Sequence, residues 1–469
     1  MKIKNEDIFI DVKNPFANCK LGREKYADIL TSITTNYEDG FVLAINNKWG
    51  HGKTTFLKMW QQKLINLEFE TIYFNAWEND FENNPFTAIL SELNQKIGIK
   101  SQEKFKSILA KASKIITSAV PSIAEHLVKK YLGISHIQDL TKDIAESGIE
   151  IFQTEIEDYI SRKKSIEDFR KELENYIAEE GLSNRPLIFF IDELDRCRPN
   201  YAVEVLENIK HLFSVNGIVF VLSIDKEQLG HAIKGVYGSA EINSDEYLRR
   251  FIDLEYSLPD SNVEQYCRFL FEQNELHVLF NNRDRNKFGD EKETFLSLAN
   301  LFLNQPDISL RQVEKIFRHA QVALKAFANH SYIFPNLFLY LISIKAVEPK
   351  SYNSILKKKF TYQEILDSFH QSILNIFNEA SENQLILLQS QLLFFYKNYL
   401  TPYTGLKNLV SDDISSNSAQ LLLNYPINSE NAKSNTIRFL KIFEKNHDIN
   451  EFSLERILNK IELTEAFKK

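Results

Sequence analysis

Cysteine is scarce and odd in number, three in 469 residues, at positions 19, 197 and 267. So few and so widely spaced, they exclude a disulfide framework and a zinc site, fit reduced thiols, and predict a cytoplasmic location. Positive charge is in deficit, 56 Lys and Arg against 64 Asp and Glu, for a net of −8. That balance argues against a protein that coats nucleic acid by bulk electrostatics, although a local basic patch stays open. Long apolar runs are missing. The longest, Tyr332 to Ile344, contains Pro335 and Asn336 and falls short of the about 20 residues a membrane span needs. It reads as a buried core helix, and no membrane partner is expected. The opening Met-Lys-Ile-Lys-Asn-Glu-Asp has no apolar signal region. Glycine (14) and proline (11) are few beside 35 Phe and 19 Tyr, which predicts a well-packed chain of helices around a few strands.

The most informative stretch is Asn47-Lys-Trp-Gly-His-Gly-Lys-Thr-Thr55. Phe41 to Ile45 before it reads as a buried strand, and Thr54 to Leu64 after it, with Leu57, Trp60 and Leu64 at helical spacing, reads as a helix. A strand turning through small residues into a helix that begins Gly-Lys-Thr is a phosphate cradle. Its backbone N–H groups and positive helix terminus face an anion, Lys53 reaches the terminal phosphates, and the Thr54 hydroxyl ligates Mg²⁺. Asn47 stands where the consensus has glycine. The expectation is that this position needs an unusual backbone, which Asn tolerates better than other side chains.

Thr71 to Trp77 is aromatic and β-branched and predicts a second strand, with a helix starting at Pro85. From about Ser101 to Glu180 the chain turns Lys/Glu/Ile/Ala-rich, which predicts a helical insertion broken at Pro121 and Gly133. Pro186-Leu-Ile-Phe-Phe-Ile-Asp-Glu193 then reads as a strand buried on both faces with two carboxylates at its end. In an open parallel sheet that edge binds ligands, so Asp192 is expected to hold Mg²⁺ through water and Glu193 to orient and deprotonate an attacking water. Ala202 to Phe213 predicts an amphipathic helix and Gly217 to Asp225 another doubly buried strand. Ser223 and Asp225 sit where a γ-phosphate sensor would be, and Asp225 equally suits a cap for the helix that follows. Gly22-Arg23 suits either a contact to a base or ribose or a solvated helix start. Phe251 to Pro259 alternates as a strand with one wet face. The remainder reads as helical, with residues 405–435 as loops between helices.

In order along the chain, Leu21-Gly-Arg23, Trp49-Gly-His-Gly-Lys-Thr-Thr55, Phe74-Asn-Ala-Trp77, Pro85, Ile191-Asp-Glu-Leu-Asp-Arg-Cys-Arg-Pro199, Ala202 to Glu207 and Tyr247-Leu248 resemble the KAP family of P-loop NTPases. That family is close to the STAND-type signalling ATPases and more distantly related to AAA+ proteins. The resemblance implies an α/β fold: a three-layer P-loop NTPase core with a parallel sheet, a helical insertion and an all-helical C-terminal region. Core residues are then 1–100 and 181–260, the insertion 101–180, a helical lid 261–330 and a C-terminal domain 331–469. It implies ATP and Mg²⁺ as cofactors and a nucleotide-binding loop of Asn47, Trp49, Gly50, His51, Gly52, Lys53, Thr54 and Thr55. It also implies a Walker B pair of Asp192 and Glu193, with Asp195 and Arg196 in the same motif. Many members carry transmembrane helices in the insertion, whereas the charged helices here give no such span.

Arg250, more than Arg249, occupies the place from which a neighbouring subunit offers an arginine finger, with a surface ion pair as the alternative. Arg311 resembles a second sensor in the lid, or is a solvated helical arginine. The implied function is a nucleotide-driven switch, as a homo-oligomer and with a protein partner or effector, of the kind associated in bacteria with exclusion of phage. No Asn-Lys-x-Asp run is present to read guanine, and no nucleic-acid module is recognisable.

Overall fold

A computed structural model describes residues 8–37, 40–82, 84–98, 102–119, 148–179, 185–259, 263–281, 290–328, 331–402, 404–413, 418–425, 430–446, 449 and 452–464. It divides into two compact units, Glu6–Cys19 with Arg23–Pro259, and Asp260–Lys469 with Met1–Asn5 and Lys20–Gly22.

In the first unit, α1 (Glu24–Asn36) leads to β1 (Val42–Asn46), the phosphate loop and α2 (Lys53–Asn66). β2 (Thr71–Asn75) and α3 (Pro85–Leu93) follow, and Asn84 caps α3 by accepting from the Thr87 N–H. Then come α4 (Gln102–Ala119), α5 (Gly148–Ile177), β3 (Leu187–Asp192), α6 (Pro199–Asn208), β4 (Ile218–Ile224), α7 (Lys226–Tyr237), α8 (Ser244–Leu248) and β5 (Leu254–Ser257). The strands form one sheet in the order β2-β3-β4-β1-β5, every pair parallel.

β3 and β4 lie at the centre and are buried along their whole length, which is why their apolar runs do not alternate. Alternation sorts the two faces. Leu43, Ile45, Ile188, Phe190, Val219 and Val221 pack with Phe56 and Trp60 of α2. Ile72, Phe74, Phe189, Phe220 and Leu222 pack on the opposite side with α3, α6 and the insertion residues Phe105, Phe169 and Tyr176. The ends of the insertion are therefore part of the core of this unit. The breaks expected at Pro121 and Gly133 lie outside the described residues. The helix expected over 202–213 starts earlier, at Pro199, and its last turn, Ile209–Phe213, widens to a π-helix.

The second unit comprises α9 (Val263–Gln273), α10 (Leu276–Asn281), α11 (Glu291–Leu303), α12 (Leu310–Leu324), α13 (Pro335–Val347), α14 (Pro349–Leu356), α15 (Tyr362–Ile373), α16 (Glu382–Leu400), α17 (Glu430–Lys445) and α18 (Leu454–Ile461). One apolar core runs through it from Tyr266 to Ile461, and α13 is the buried helix expected near Tyr332 to Ile344. No described helix is long and apolar enough to cross a membrane. One reading is corrected. Within the stretch taken as loops, Val410–Asp413 (β6) and Ser418–Leu421 (β7) pair antiparallel. Their Ser and Asp content imitates a loop, while Leu409, Val410 and Leu421 bury into the helical core.

Candidate functional site

The C-terminal edge of the sheet collects the expected residues. At the end of β1 the chain makes the loop Asn47–Gly52, with Gly50 and Gly52 at φ 80° and 77°, a region open to glycine at little cost. Arg23, at the start of α1, is not solvated. It is 2% exposed and donates to the carbonyls of His51 (2.8 Å) and Gly52 (3.4 Å), bracing the loop from behind.

The left-handed backbone that Asn tolerates is not used at Asn47, whose φ is not positive. Its side chain is used instead, Nδ2 donating to Leu258 O (3.1 Å) and Oδ1 accepting from Lys48 N (2.8 Å), while its backbone N bonds Ile224 O (3.1 Å). Asn47 thus ties the loop to β4 and to the residue after β5.

Lys53, the first residue of α2, is 9% exposed, and its Nζ donates to the loop carbonyls of Asn47 (2.5 Å) and Lys48 (3.3 Å). Burial pushes its pKa below the ordinary value, opposed by the charges of Asp195, Asp225 and Asp192. Thr54 follows in the first turn of α2.

Asp192 ends β3 at 1% exposure, opposite Ser223 in register. By parity both lie on the α2 face of the sheet. Asp192 accepts from the Tyr73 hydroxyl (2.7 Å) and from the N–H of Glu193 (2.9 Å). The Tyr73 hydroxyl is held protonated by burial and by that carboxylate. Ser223 is fully buried and its hydroxyl has no partner among the described residues.

Glu193 has left-handed backbone, φ 62° and ψ 24°, a strained state of the kind found at functional sites. Its carboxylate is engaged by Arg196 on one oxygen and by Asn75 Nδ2 (3.3 Å) on the other. Asn75 also accepts from the N–H groups of Trp77 (3.1 Å) and Glu78 (3.2 Å), and Arg196 lies 5.8 Å from the Trp77 ring centre.

Asp225 does cap α7, accepting from Gln228 N (3.3 Å), and its second oxygen accepts from Trp49 N (3.1 Å). Asp195 accepts from Trp49 Nε1 and from the Asp225 N–H; burial pushes its pKa up, with Lys53 opposing.

Two predicted arginines lie on other elements. Arg250, after α8, is exposed and its side chain has no partner among the described residues, whereas Arg249 pairs with Glu246 (3.2 Å). Arg311 is exposed at the start of α12 in the second unit, between the capping-box residues Ser309 and Gln312. Sequence reasoning missed Asn75, Tyr73 and the brace from Arg23. The position of Asn75 at the end of the strand beside β3 was the available signal.

The family model of the KAP family P-loop domain matches residues 23–443. An uncharacterized protein of Methanocaldococcus jannaschii is 30% identical over 179 residues, 33% of this chain and 90% of that protein. Among solved structures, the Aeropyrum pernix ORC2 protein in its ADPNP and ADP complexes is 14% identical over 94% of both chains, at a TM-score of 0.32. A Drosophila ORC structure bound to GC-rich DNA and Cdc6 is 13% identical over 94% of this chain and 61% of that one, at 0.29. Overlaps this loose carry no argument about ligand or assembly.

Proposed function

The chain belongs to the KAP family of P-loop NTPases, and on that premise we propose that it is a Mg²⁺-dependent ATPase whose nucleotide state drives a conformational or oligomeric switch. The observation that carries this reading is the Lys53 ammonium. It is buried at a glycine cradle, bonded to carbonyls of its own loop, and faced by three buried acids. A buried cation on so short a tether to its own loop is placed to exchange those carbonyls for phosphate oxygens.

The residues present fit the metal as well. Thr54 and Asp192 would hold Mg²⁺, which when bound neutralises charge on the phosphate oxygens. Ser223, an unpartnered buried hydroxyl in register with Asp192, suits the role of phosphate sensor better than Asp225, whose oxygens already serve α7 and the loop. Glu193 is the general base, accepting the proton of the attacking water. Because Asn75 and Arg196 hold its carboxylate, hydrolysis requires that carboxylate to be released, and the release is the switching step.

The unpaired, exposed Arg250 supports an assembly of like chains in which it enters a neighbour's site, where such a group contributes about 10³ to 10⁵ in rate. Arg311 would report nucleotide from the helical unit. A role in exclusion of phage, with a separate effector, is the biological form of this reading, and plating of phage on cells carrying the wild-type gene or its Lys53 variant compares the two directly.

A second reading, a nucleotide-binding scaffold that does not turn over, is favoured by the engaged state of Glu193. Phosphate release from Mg·ATP separates the two. Glu193→Gln should lower turnover by about 10² to 10⁴ while ATP stays bound. Equal turnover in the variant would remove Glu193 from its role, and a wild type that binds ATP without releasing phosphate selects the scaffold.

A further inference from the structure

Beyond facing Lys53, Asp195 has been given no role above, yet it bonds two other elements at the sheet edge. It stands in the 3₁₀ turn Leu194–Arg196 after β3, at 8% exposure. Its Oδ2 accepts from two donors on two other elements, the indole Nε1 of Trp49 at 2.5 Å and the backbone N–H of Asp225 at 2.8 Å. The backbone N–H of Trp49 in turn bonds Asp225 Oδ2 at 3.1 Å, and Asp225 Oδ1 holds the first turn of α7. The result is a closed triangle joining the β3 turn, the end of β4 and the crest of the phosphate loop.

Trp49 is 43% exposed, so packing alone does not immobilise its ring, and Gly50 and Gly52 on its C-terminal side bring maximal backbone freedom. A hydrogen bond to an ionised, mostly buried acceptor is among the stronger single tethers a side chain can supply. The charge is matched as well, since Asp195 is the foremost acidic neighbour of the Lys53 ammonium. A carboxylate facing an anion site would otherwise repel its ligand. Here two N–H donors fill the oxygen that faces the loop, and Lys53 offsets the charge.

We propose that Asp195 is a positioning residue for nucleotide binding, holding the crest of the phosphate loop through the Trp49 indole in the shape that receives a polyphosphate. This rests on the nucleotide reading above. Asp195 acts through Trp49 and touches no reacting atom.

The test is a double-mutant cycle on the dissociation constant for Mg·ATP, measured by calorimetry on the full chain. Trp49→Phe keeps an aromatic side chain and removes the N–H donor with the five-membered ring that carries it; Asp195→Ala removes the acceptor. Each single change should weaken binding about tenfold, the worth of one charge-assisted hydrogen bond, and the double variant should be no weaker than the worse single one. In turnover the loss should fall on KM, with kcat within about twofold, and Asp195→Asn, which keeps an acceptor oxygen, should recover most of the affinity. Should Asp195→Ala not fold, Trp49→Phe at its half-exposed position carries the test by itself, since unchanged affinity in that variant overturns the assignment.

Additive losses, or unchanged affinity in Trp49→Phe, overturn the assignment while leaving the nucleotide reading in place. No binding of Mg·ATP by the wild type overturns that reading, and this inference with it.

Discussion

The two units bury polar side chains in opposite ways. In the sheet-bearing unit the buried polar groups are largely charged and converge on one edge: Arg23, Lys53, Asp192, Asp195 and Asp225. In the helical unit many are neutral and satisfy one another. His370 bonds Gln389 (2.6 Å), Gln389 bonds Thr436 (3.0 Å), and Tyr425 reaches both at 3.3 Å. Burying a polar group has a cost in either place. The neutral network offsets most of that cost internally and specifies packing, with His370 Nδ1 left without a partner among the described residues, whereas a cluster of charges held by short loops is offset fully only when a counter-charge arrives. Buried polarity by itself is thus no sign of chemistry; its charge and its convergence are.

That contrast can be broken. Gln389→Leu removes the hub of the neutral network and should destabilise the protein by about 1–3 kcal/mol, read from urea unfolding by far-UV circular dichroism, with affinity for Mg·ATP unchanged. A loss of nucleotide affinity would mean that the network belongs to the site after all.

A smaller effect is expected at Asn47. Restoring the consensus with Asn47→Gly deletes the bonds to Leu258 O and Lys48 N and adds backbone entropy to the unfolded chain. Binding of Mg·ATP should weaken several-fold and stability fall by about 1 kcal/mol. Tighter binding would mean that Asn47 is only a tolerated replacement.

The smallest effect concerns pH. Burial holds His319 and His370 below the ordinary 6.5, so between the folded value and 6.5 the unfolded chain binds more protons than the folded one. Their contribution is complete above 6.5 and is lost as pH falls from there towards the folded values. Urea midpoints should therefore drop between about pH 7.5 and pH 6, and His370→Gln should flatten the drop.

Much of the first unit was legible because its signals are local. The uninterrupted apolar runs of β3 and β4, the Gly-Lys-Thr at the start of α2 and Pro85 at the head of α3 each fix an element within a few residues. Asp192 could be placed because strand order and strand ends follow from those elements. What stayed hidden is what one element does to another. Nothing near Glu193 in the chain says that Asn75 holds it, and nothing near Trp49 says that its indole meets Asp195. Arg23 reads as surface because arginine usually is, whereas the structure buries it against the carbonyls of His51 and Gly52. The side-chain bonds of Asn47 to Leu258 O and Lys48 N are hidden for a related reason, since one of them reaches a residue 211 positions away.

All three tryptophans of the chain, at 49, 60 and 77, belong to the sheet-bearing unit. Trp60 is sealed in the core, edge-on to Phe190 at 5.3 Å. Trp49 and Trp77 face solvent, one bonded to the carboxylate of Asp195 and the other beside the guanidinium of Arg196. The protein therefore carries a built-in optical gauge of its own loop and of the turn that holds Glu193, with one insulated indole as an internal reference and a helical unit that emits no tryptophan light.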